Sequence, residues 1–466
     1  MTVRVHAFTE DALGDHDGVA IAELIRRGEL SAAEVAEAAR QRAAKVNPEL
    51  NAIVAQPDTP QVSADRDALL FGVPTYVKDN TDLSGVPTQH GSAAWRARPA
   101  KADGPYTKQF RASGMTVLGK TTLPEFGLNA TTEFAGAEPT RNPWDTGFSS
   151  GASSGGSAAL VAAGVVPIAH GNDGGGSIRI PAACCGLVGL KPTRGRHIDG
   201  PQARSMPINL VSEGVLTRSV RDTATYFAAA ERFWRNPALP PVGLVEGPAQ
   251  RKLRIGVLAE PITGKPLDPH VRAVLDDTVK LLESLGHEVR PIAYPVAPGF
   301  AEDFATYWAM LAFLLGLTGK LTLDPAFDAS QLDPFTRGLA ARFRGAPLRA
   351  PAVLYRLWRI RRAYAESFRD VELVVSPVLA SVTPRLGYLS PDQPFGEVFD
   401  RLLSYVTYTP LANVTGAPAL SLPLGASPEG LPVGMLFSAA HGDERTLLEL
   451  AYTLEAARPF RRIQDA

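Results

Sequence analysis

Cysteine is nearly absent: the 466 residues hold two, Cys184 and Cys185. Adjacent cysteines cannot close an ordinary intrachain disulfide, and their spacing does not suit zinc, so neither a disulfide framework nor a metal site is expected. An excess of one charge is missing too, since 47 Lys and Arg face 48 Asp and Glu for a formal net charge of −1. The cations are spread along the chain, which leaves no basic footprint for nucleic acid and no basic amphipathic stretch to hold a membrane surface. Long apolar runs are also lacking. The longest, Trp308 to Leu317, falls short of a bilayer span. The polar, acidic opening MTVRVHAFTEDALGDHDG contains no apolar signal segment. A reducing cytoplasm is the expected location.

What is present suits a large folded enzyme: 45% of the residues are hydrophobic and 20% charged, enough to bury a core without staples. Residues 1–70 form an N-terminal helical segment, with helix expected over 19–46. Ser31 and Glu34 make a capping box there, and Asn47-Pro48 is the expected stop. From Phe71 short apolar runs alternate with Gly and Pro. Strands are expected at Val73–Val77, Met115–Leu118 and Val165–Ala169, with a small-residue helix at Ser157–Ala163. Further on, Leu253–Leu258, a helix opened by Asp268-Pro269 and closed at Gly286, and His287–Ile292 make a βαβ unit. Such a unit implies parallel strands with helices on the faces of the sheet. Residues 300–370 are helical and rich in aromatic residues. Strands return at Leu373–Val375, Ala419–Leu422 and Val433–Phe437 before a last helix at 443–456. With no repeat or long linker, one large α/β domain over 1–466 is the economical architecture.

Two motifs match familiar patterns and fail on context. Gly114-Met-Thr-Val-Leu-Gly-Lys-Thr121 spells a P-loop. Its interior wants to be a buried strand, however, and Pro124 cuts short the helix that phosphates would need. Gly151-Ala-Ser-Ser-Gly155 spells a nucleophile elbow. The segment Asn142 to Ser150 before it is loop-like in composition, and no downstream histidine stands in a distinctive setting.

Three other segments carry chemistry: Gly72-Val-Pro-Thr-Tyr-Val-Lys78-Asp-Asn80, Gly151-Ala-Ser-Ser-Gly-Gly-Ser157, and Gly171-Asn-Asp-Gly-Gly-Gly-Ser-Ile-Arg-Ile-Pro181. Alone, a lysine after an apolar strand is ordinarily a snorkelling surface residue, and a Gly/Ser stretch an ordinary loop. Together and in order they suggest more. Burial makes a lysine give up its proton readily, so Lys78 can serve as a base near neutral pH. Ser153 and Ser177 follow glycine-rich turns that let a substrate come close to the backbone. The successive amides of Gly174, Gly175, Gly176 and Ser177 can form a nest for an oxyanion.

These segments resemble the amidase signature family. So do Gly119-Lys-Thr121 with Pro124-Glu125, Arg141-Asn-Pro-Trp144, Cys185-Gly-Leu-Val-Gly-Leu-Lys-Pro-Thr193 and Asn413-Val-Thr-Gly-Ala-Pro-Ala419. The likeness runs from about residue 20 to 460. It implies a twisted mixed sheet covered by helices on both faces, with the catalytic core at 71–200, and an acyl-transfer mechanism without metal or organic cofactor. Ser177 would be the nucleophile, Ser153 the proton relay and Lys78 the ultimate base. Asp173 and Arg179 would support the loop, with Ser154 in either role. In the family the bridging serine usually follows glycine through a cis peptide; here Ala152 precedes it.

The expected partner is a small-molecule amide, with no nucleic acid and no membrane, and a homodimer is compatible with the sequence. Transamidating subunits, which release ammonia from glutamine within a complex, typically carry Gln where this chain has Ile180. The closer resemblance is to bacterial stand-alone amidases and nylon-oligomer cyclic-dimer hydrolases. The variable region 300–370 offers Trp308, Phe313 and Tyr307 as pocket walls, which points to an apolar, aryl or nylon-oligomer-like acyl group. Gly127 and Asn129 are further substrate contacts to test.

Overall fold

In the computed structural model, which describes residues 4–293, 296 and 299–465, the N-terminal part builds a small sheet. It comprises β1 (Ile53–Ala55), β2 (Pro74–Lys78) and β3 (Thr116–Thr121), in the order β1-β3-β2 with β2 parallel to β3. A separate hairpin follows, β4 (Arg141–Asn142) with β5 (Asp145–Ser149). The remaining strands are β6 (Ile168–Asp173), β7 (Val188–Lys191), β8 (Ser212–Thr217), β9 (Arg254–Val257), β10 (Glu288–Pro291), β11 (Leu373–Pro377), β12 (Ala419–Ala426) and β13 (Pro432–Ala439). They form one sheet ordered β10-β9-β11-β13-β12-β7-β8-β6. β9 runs parallel to β10 and β11, as the βαβ unit requires, and the other pairs are antiparallel. The large sheet is therefore mixed, and helices flank it. Its interior strands β7, β8, β11 and β13 are buried along their length, whereas the edge strand β10 is largely exposed.

β2 lies beside β6 and joins the two sheets through side chains. The Thr75 hydroxyl donates to the Ile168 carbonyl, and the Lys78 amide to His170 Nδ1. The Gly155–Ala162 helix is buried at every residue. It fits only because its first turn is glycine: a Cβ on Gly156 would lie 2.4 Å from Thr122 Oγ1 and 2.6 Å from the Ala52 carbonyl.

Local signals explain most boundaries, and the departures have causes. The Ser31–Glu34 capping box starts the Ala32–Leu50 helix, and Asp268 caps Pro269–Ser284. Pro48, expected to stop its helix, is carried inside it, and the end comes at Asn51 in the left-handed region. A proline in the last turn forfeits one backbone bond, which tertiary packing can offset. The strand expected at Val165–Ala169 begins at Ile168 instead, because the Val165 amide still bonds to Leu160 as the preceding helix closes. It then continues through polar residues paired with β8. The segment before Gly151, expected to be loop, contains the β4–β5 hairpin, tied by Asn142 Nδ2 donating to the Ser149 carbonyl at 2.9 Å. This hairpin lies outside the central sheet, so the elbow context is still missing. The P-loop lookalike is strand β3, and its Lys120 is fully buried against Asp79 at 2.8 Å.

The helical region resolves into Phe300–Thr322, Pro334–Arg344 and Ala350–Glu366. The first is long and apolar enough, by length and composition, to cross a membrane, although the run Trp308–Leu317 is too short on its own. About a third of its most apolar window is buried in the molecule. The Tyr307 hydroxyl ties the helix to the Ile208 carbonyl at 2.6 Å.

The last helix, Glu444–Ala457, is locked by charge. Arg196 and Glu444 are both buried and meet at 2.6 Å, and Arg196 also reaches Glu231 and the carbonyls of Pro240 and Gly442. Removing one member of a buried pair leaves the other charge uncompensated. Glu444→Ala is expected to cost about 3–5 kcal/mol in denaturant unfolding. A loss below about 1 kcal/mol, the range of exposed pairs, would show that the network does not anchor the helix.

Candidate active site

The three chemical segments converge at one end of β2 and β6. Lys78 is the last residue of β2 and has 0% exposure. Its Nζ lies 2.7 Å from Ser153 Oγ and donates to Asn172 Oδ1 at 2.7 Å. Burial lowers its pKa to about 7 against the opposing pull of Glu213 and Asp173. An amine in that range is partly neutral at physiological pH and can accept a proton.

Ser153 sits in the turn before the Gly155–Ala162 helix, and the Ala152–Ser153 peptide is cis. Ser177 lies in the turn between β6 and the Arg179–Cys185 helix. The Ser154 amide donates to the Ser177 carbonyl at 3.3 Å, and Ser154 Oγ to the Asn172 carbonyl at 3.4 Å, so Ser154 ties the two turns together. Among the described residues the hydroxyls of Ser153 and Ser177 share no hydrogen bond, but both line the same cavity.

The glycine turn is pinned from behind. Asp173, fully buried, accepts from the amides of Gly176 (2.7 Å) and Ile178 (3.1 Å) and from Arg179 Nε and Nη2 (2.9 and 2.8 Å). Burial pushes the Asp173 carboxyl up, but the Arg179 guanidinium outweighs it and holds the group well below the usual carboxylate range. Asn413 Nδ2 donates to Asp173, and its Oδ1 accepts from Arg179. Thr409 Oγ1 donates to the Gly175 carbonyl at 2.6 Å. These contacts correct the expected four-amide nest. The Gly176 N–H is committed to Asp173, at a φ of +134°, which leaves the amides of Gly174, Gly175 and Ser177 without a protein acceptor among the described residues.

The cavity has a volume of about 690 Å³. Trp308 lines it, stacked on Phe399 at 6.1 Å. Phe313 and Tyr307 do not: Phe313 packs on Phe343, and Tyr307 is buried on the Ile208 backbone. Asn129 lines the cavity, yet its amide is spent on backbone, donating to the Leu389 carbonyl and accepting from the Ala130 amide. Gly127 faces Ser153 directly.

Several wall residues escaped the sequence. Phe126 stacks against both His90 and Trp95 along one side, with its ring centroid 5.6 Å from that of His90 and 5.7 Å from that of Trp95. His90 and Phe126 adopt left-handed φ values of +54° and +49°, which sequence patterns do not foresee for such residues. Burial, with Lys120 and Lys78 nearby, lowers the His90 pKa to about 3, so the ring is a neutral surface. Asn172 could have been found by alternation, since it shares a face of β6 with His170.

A family model described as amidase matches residues 34–448. AmiC of Mycobacterium leprae (strain TN), provisionally named an amidase, is 48% identical over 99% of this chain and 99% of its own. A solved structure of 6-aminohexanoate cyclic dimer hydrolase complexed with substrate matches with a TM-score of 0.85 at 31% identity, covering 97% of this chain and 99% of that one. A bacterial aryl acylamidase structure matches with a TM-score of 0.81 at 25% identity, covering 96% of each chain.

Gly127 offers a geometric test. It has a φ of +70°, and a Cβ there would stand 2.8 Å from Ser153 Oγ. Gly127→Ala is expected to lower kcat/KM on any amide substrate at least about tenfold, equivalent to roughly 1.4 kcal/mol, while the thermal midpoint moves by only a few degrees. Unchanged kinetics would mean that Ser153 has room to retreat.

Proposed function

The chain belongs to the amidase family, and from that premise we propose that it hydrolyses a non-peptide carboxamide through an acyl-enzyme on Ser177. The observation that carries this reading is the fully buried Lys78 amine, 2.7 Å from the Oγ of Ser153, which lines one cavity together with Ser177. Ser177 Oγ attacks the amide carbonyl carbon, and its proton passes to Ser153 Oγ as Ser153 gives its own to neutral Lys78 Nζ. The carbonyl oxygen becomes an oxyanion held by the free amides of Gly174, Gly175 and Ser177. Collapse breaks the C–N bond. The departing amine takes a proton from Ser153, which recovers one from the Lys78 ammonium. Water then attacks the ester by the same relay, freeing the acid and restoring Ser177.

The wall of Trp95, Phe126 and Trp308, with Phe304, Leu402 and Val406, favours an apolar or aryl acyl group, or an aliphatic one of the nylon-oligomer kind. The likeness to an aryl acylamidase and to a 6-aminohexanoate cyclic dimer hydrolase supports the same range. Ile180 presents a hydrocarbon side chain to the cavity, in keeping with an apolar substrate.

The test is hydrolysis of aryl anilides, aliphatic amides and ω-amino-acid oligomers by wild type, Ser177→Ala and Lys78→Ala, with and without a chelator. Both variants are expected to lose at least about 10³-fold in kcat, and the chelator to have no effect. Since only neutral Lys78 accepts the proton, kcat/KM should fall as pH drops through about 7. Activity surviving in Ser177→Ala would overturn the mechanism.

A further inference from the structure

We propose that Glu213, on β8, is a positioning residue of the catalytic apparatus: it fixes His170, and through it the Lys78 backbone, and it holds a carboxyl beside the Lys78 amine. The inference rests on Lys78 being the base. β6 and β8 pair with Asn172 opposite Glu213, a register that sets both side chains on one face of the sheet, with Cβ atoms about 5 Å apart. Asn172 Oδ1 is the acceptor for Lys78 Nζ, so Glu213 flanks that amine from the neighbouring strand.

The backbone link is continuous. His170 Nδ1 accepts the Lys78 amide at 3.1 Å, and His170 Nε2 lies 2.9 Å from Glu213 Oε2. Because Nδ1 must accept, the proton of the neutral ring is on Nε2 and is donated to the carboxyl. Glu213 therefore selects the tautomer that can hold the end of β2 in place. His170 is fully buried, and Glu213, 7% exposed, meets it at the cavity wall.

The charges around Lys78 come from three elements. β6 supplies Asp173 and neutral His170, β3 supplies Lys120, and β8 supplies Glu213, while neutral His90 lies on the loop after β2. Asp173 is matched by Arg179 at 2.8 Å, and Lys120 by Asp79 at 2.8 Å. Among the described residues the Glu213 carboxyl is hydrogen-bonded only to an uncharged ring, that of His170. Burial drives the Lys78 proton off, and Glu213 is the foremost group drawing it back, ahead of Asp173. A base must lose its proton before the reaction and hold it during the reaction, and an opposing carboxyl beside a desolvated amine sets that balance.

Two substitutions separate the effects. Glu213→Gln keeps an acceptor for His170 Nε2 and removes the charge. The acid limb of kcat/KM should then move to lower pH by roughly one unit, with a lower plateau because the base is weaker. Glu213→Asp keeps the charge but is one methylene too short to reach His170. It should leave the limb in place and lower kcat several-fold with little change in KM. A limb that stays put in Glu213→Gln, or wild-type kcat in Glu213→Asp, would each overturn the inference, so either variant is decisive if the other does not fold. Full activity in Lys78→Ala would instead remove the base reading itself, a failure distinct from that of Glu213.

Discussion

Lys78 is a fully buried amine whose hydrogen-bond partners, Ser153 and Asn172, are both neutral, and the site is organised around that constraint. Moving an ammonium from water into a protein interior costs several kcal/mol unless an opposite charge accompanies it. Two other lysines in this chain are equally buried. Lys120 keeps company with Asp79. Lys191 donates to the Pro192 carbonyl and Ser212 Oγ, and it does not line the cavity. Among the described residues Lys78 differs from Lys120 in having no carboxylate at ion-pair distance, and from Lys191 in that its hydroxyl partner, Ser153, lines the cavity together with Ser177. In the proposed mechanism, a proton accepted by this amine comes from a hydroxyl that lines the cavity.

The second requirement is a backbone that does not yield. The β6 turn presents free amides because Asp173 draws the Gly176 and Ile178 amides inward, while Arg179 and Asn413 hold Asp173. Buried ion pairs contribute little net stability, but breaking one is costly. Such a pair is well suited to fixing geometry. In the proposed mechanism the oxyanion then meets donors already in place, with little reorganisation at the moment of reaction. The same network ties the β6 turn and the helix that follows it to the Pro410–Thr415 helix, more than 200 residues further along the chain.

Much of this was legible in the sequence. Lys78, Ser153 and Ser177 lie in ordered motifs whose small residues and apolar approach are needed for close contact, and the P-loop and elbow lookalikes failed on context that the fold also lacks. The cavity wall was harder to see. Trp308 was expected there, but Phe313 and Tyr307 sit on the same helix and point into packing, a choice made by helix rotation rather than composition. His90 and Phe126 reach the wall through left-handed backbone that non-glycine residues seldom adopt. The loss of the Gly176 amide from the nest was equally hidden, because a side chain three residues upstream competes for it. Asn413, 240 residues from Asp173, is a contact that no local pattern contains.

The central claim is that Ser177 carries the acyl group. Its most direct test is peptide mapping by mass spectrometry after wild-type protein is mixed with an activated ester whose acyl-enzyme hydrolyses slowly, then quenched in acid. The account predicts a single acyl adduct on the peptide containing Ser177, localised by fragmentation to that residue. An adduct on Ser153, or a covalently unmodified protein that nonetheless turns over the ester, would contradict it.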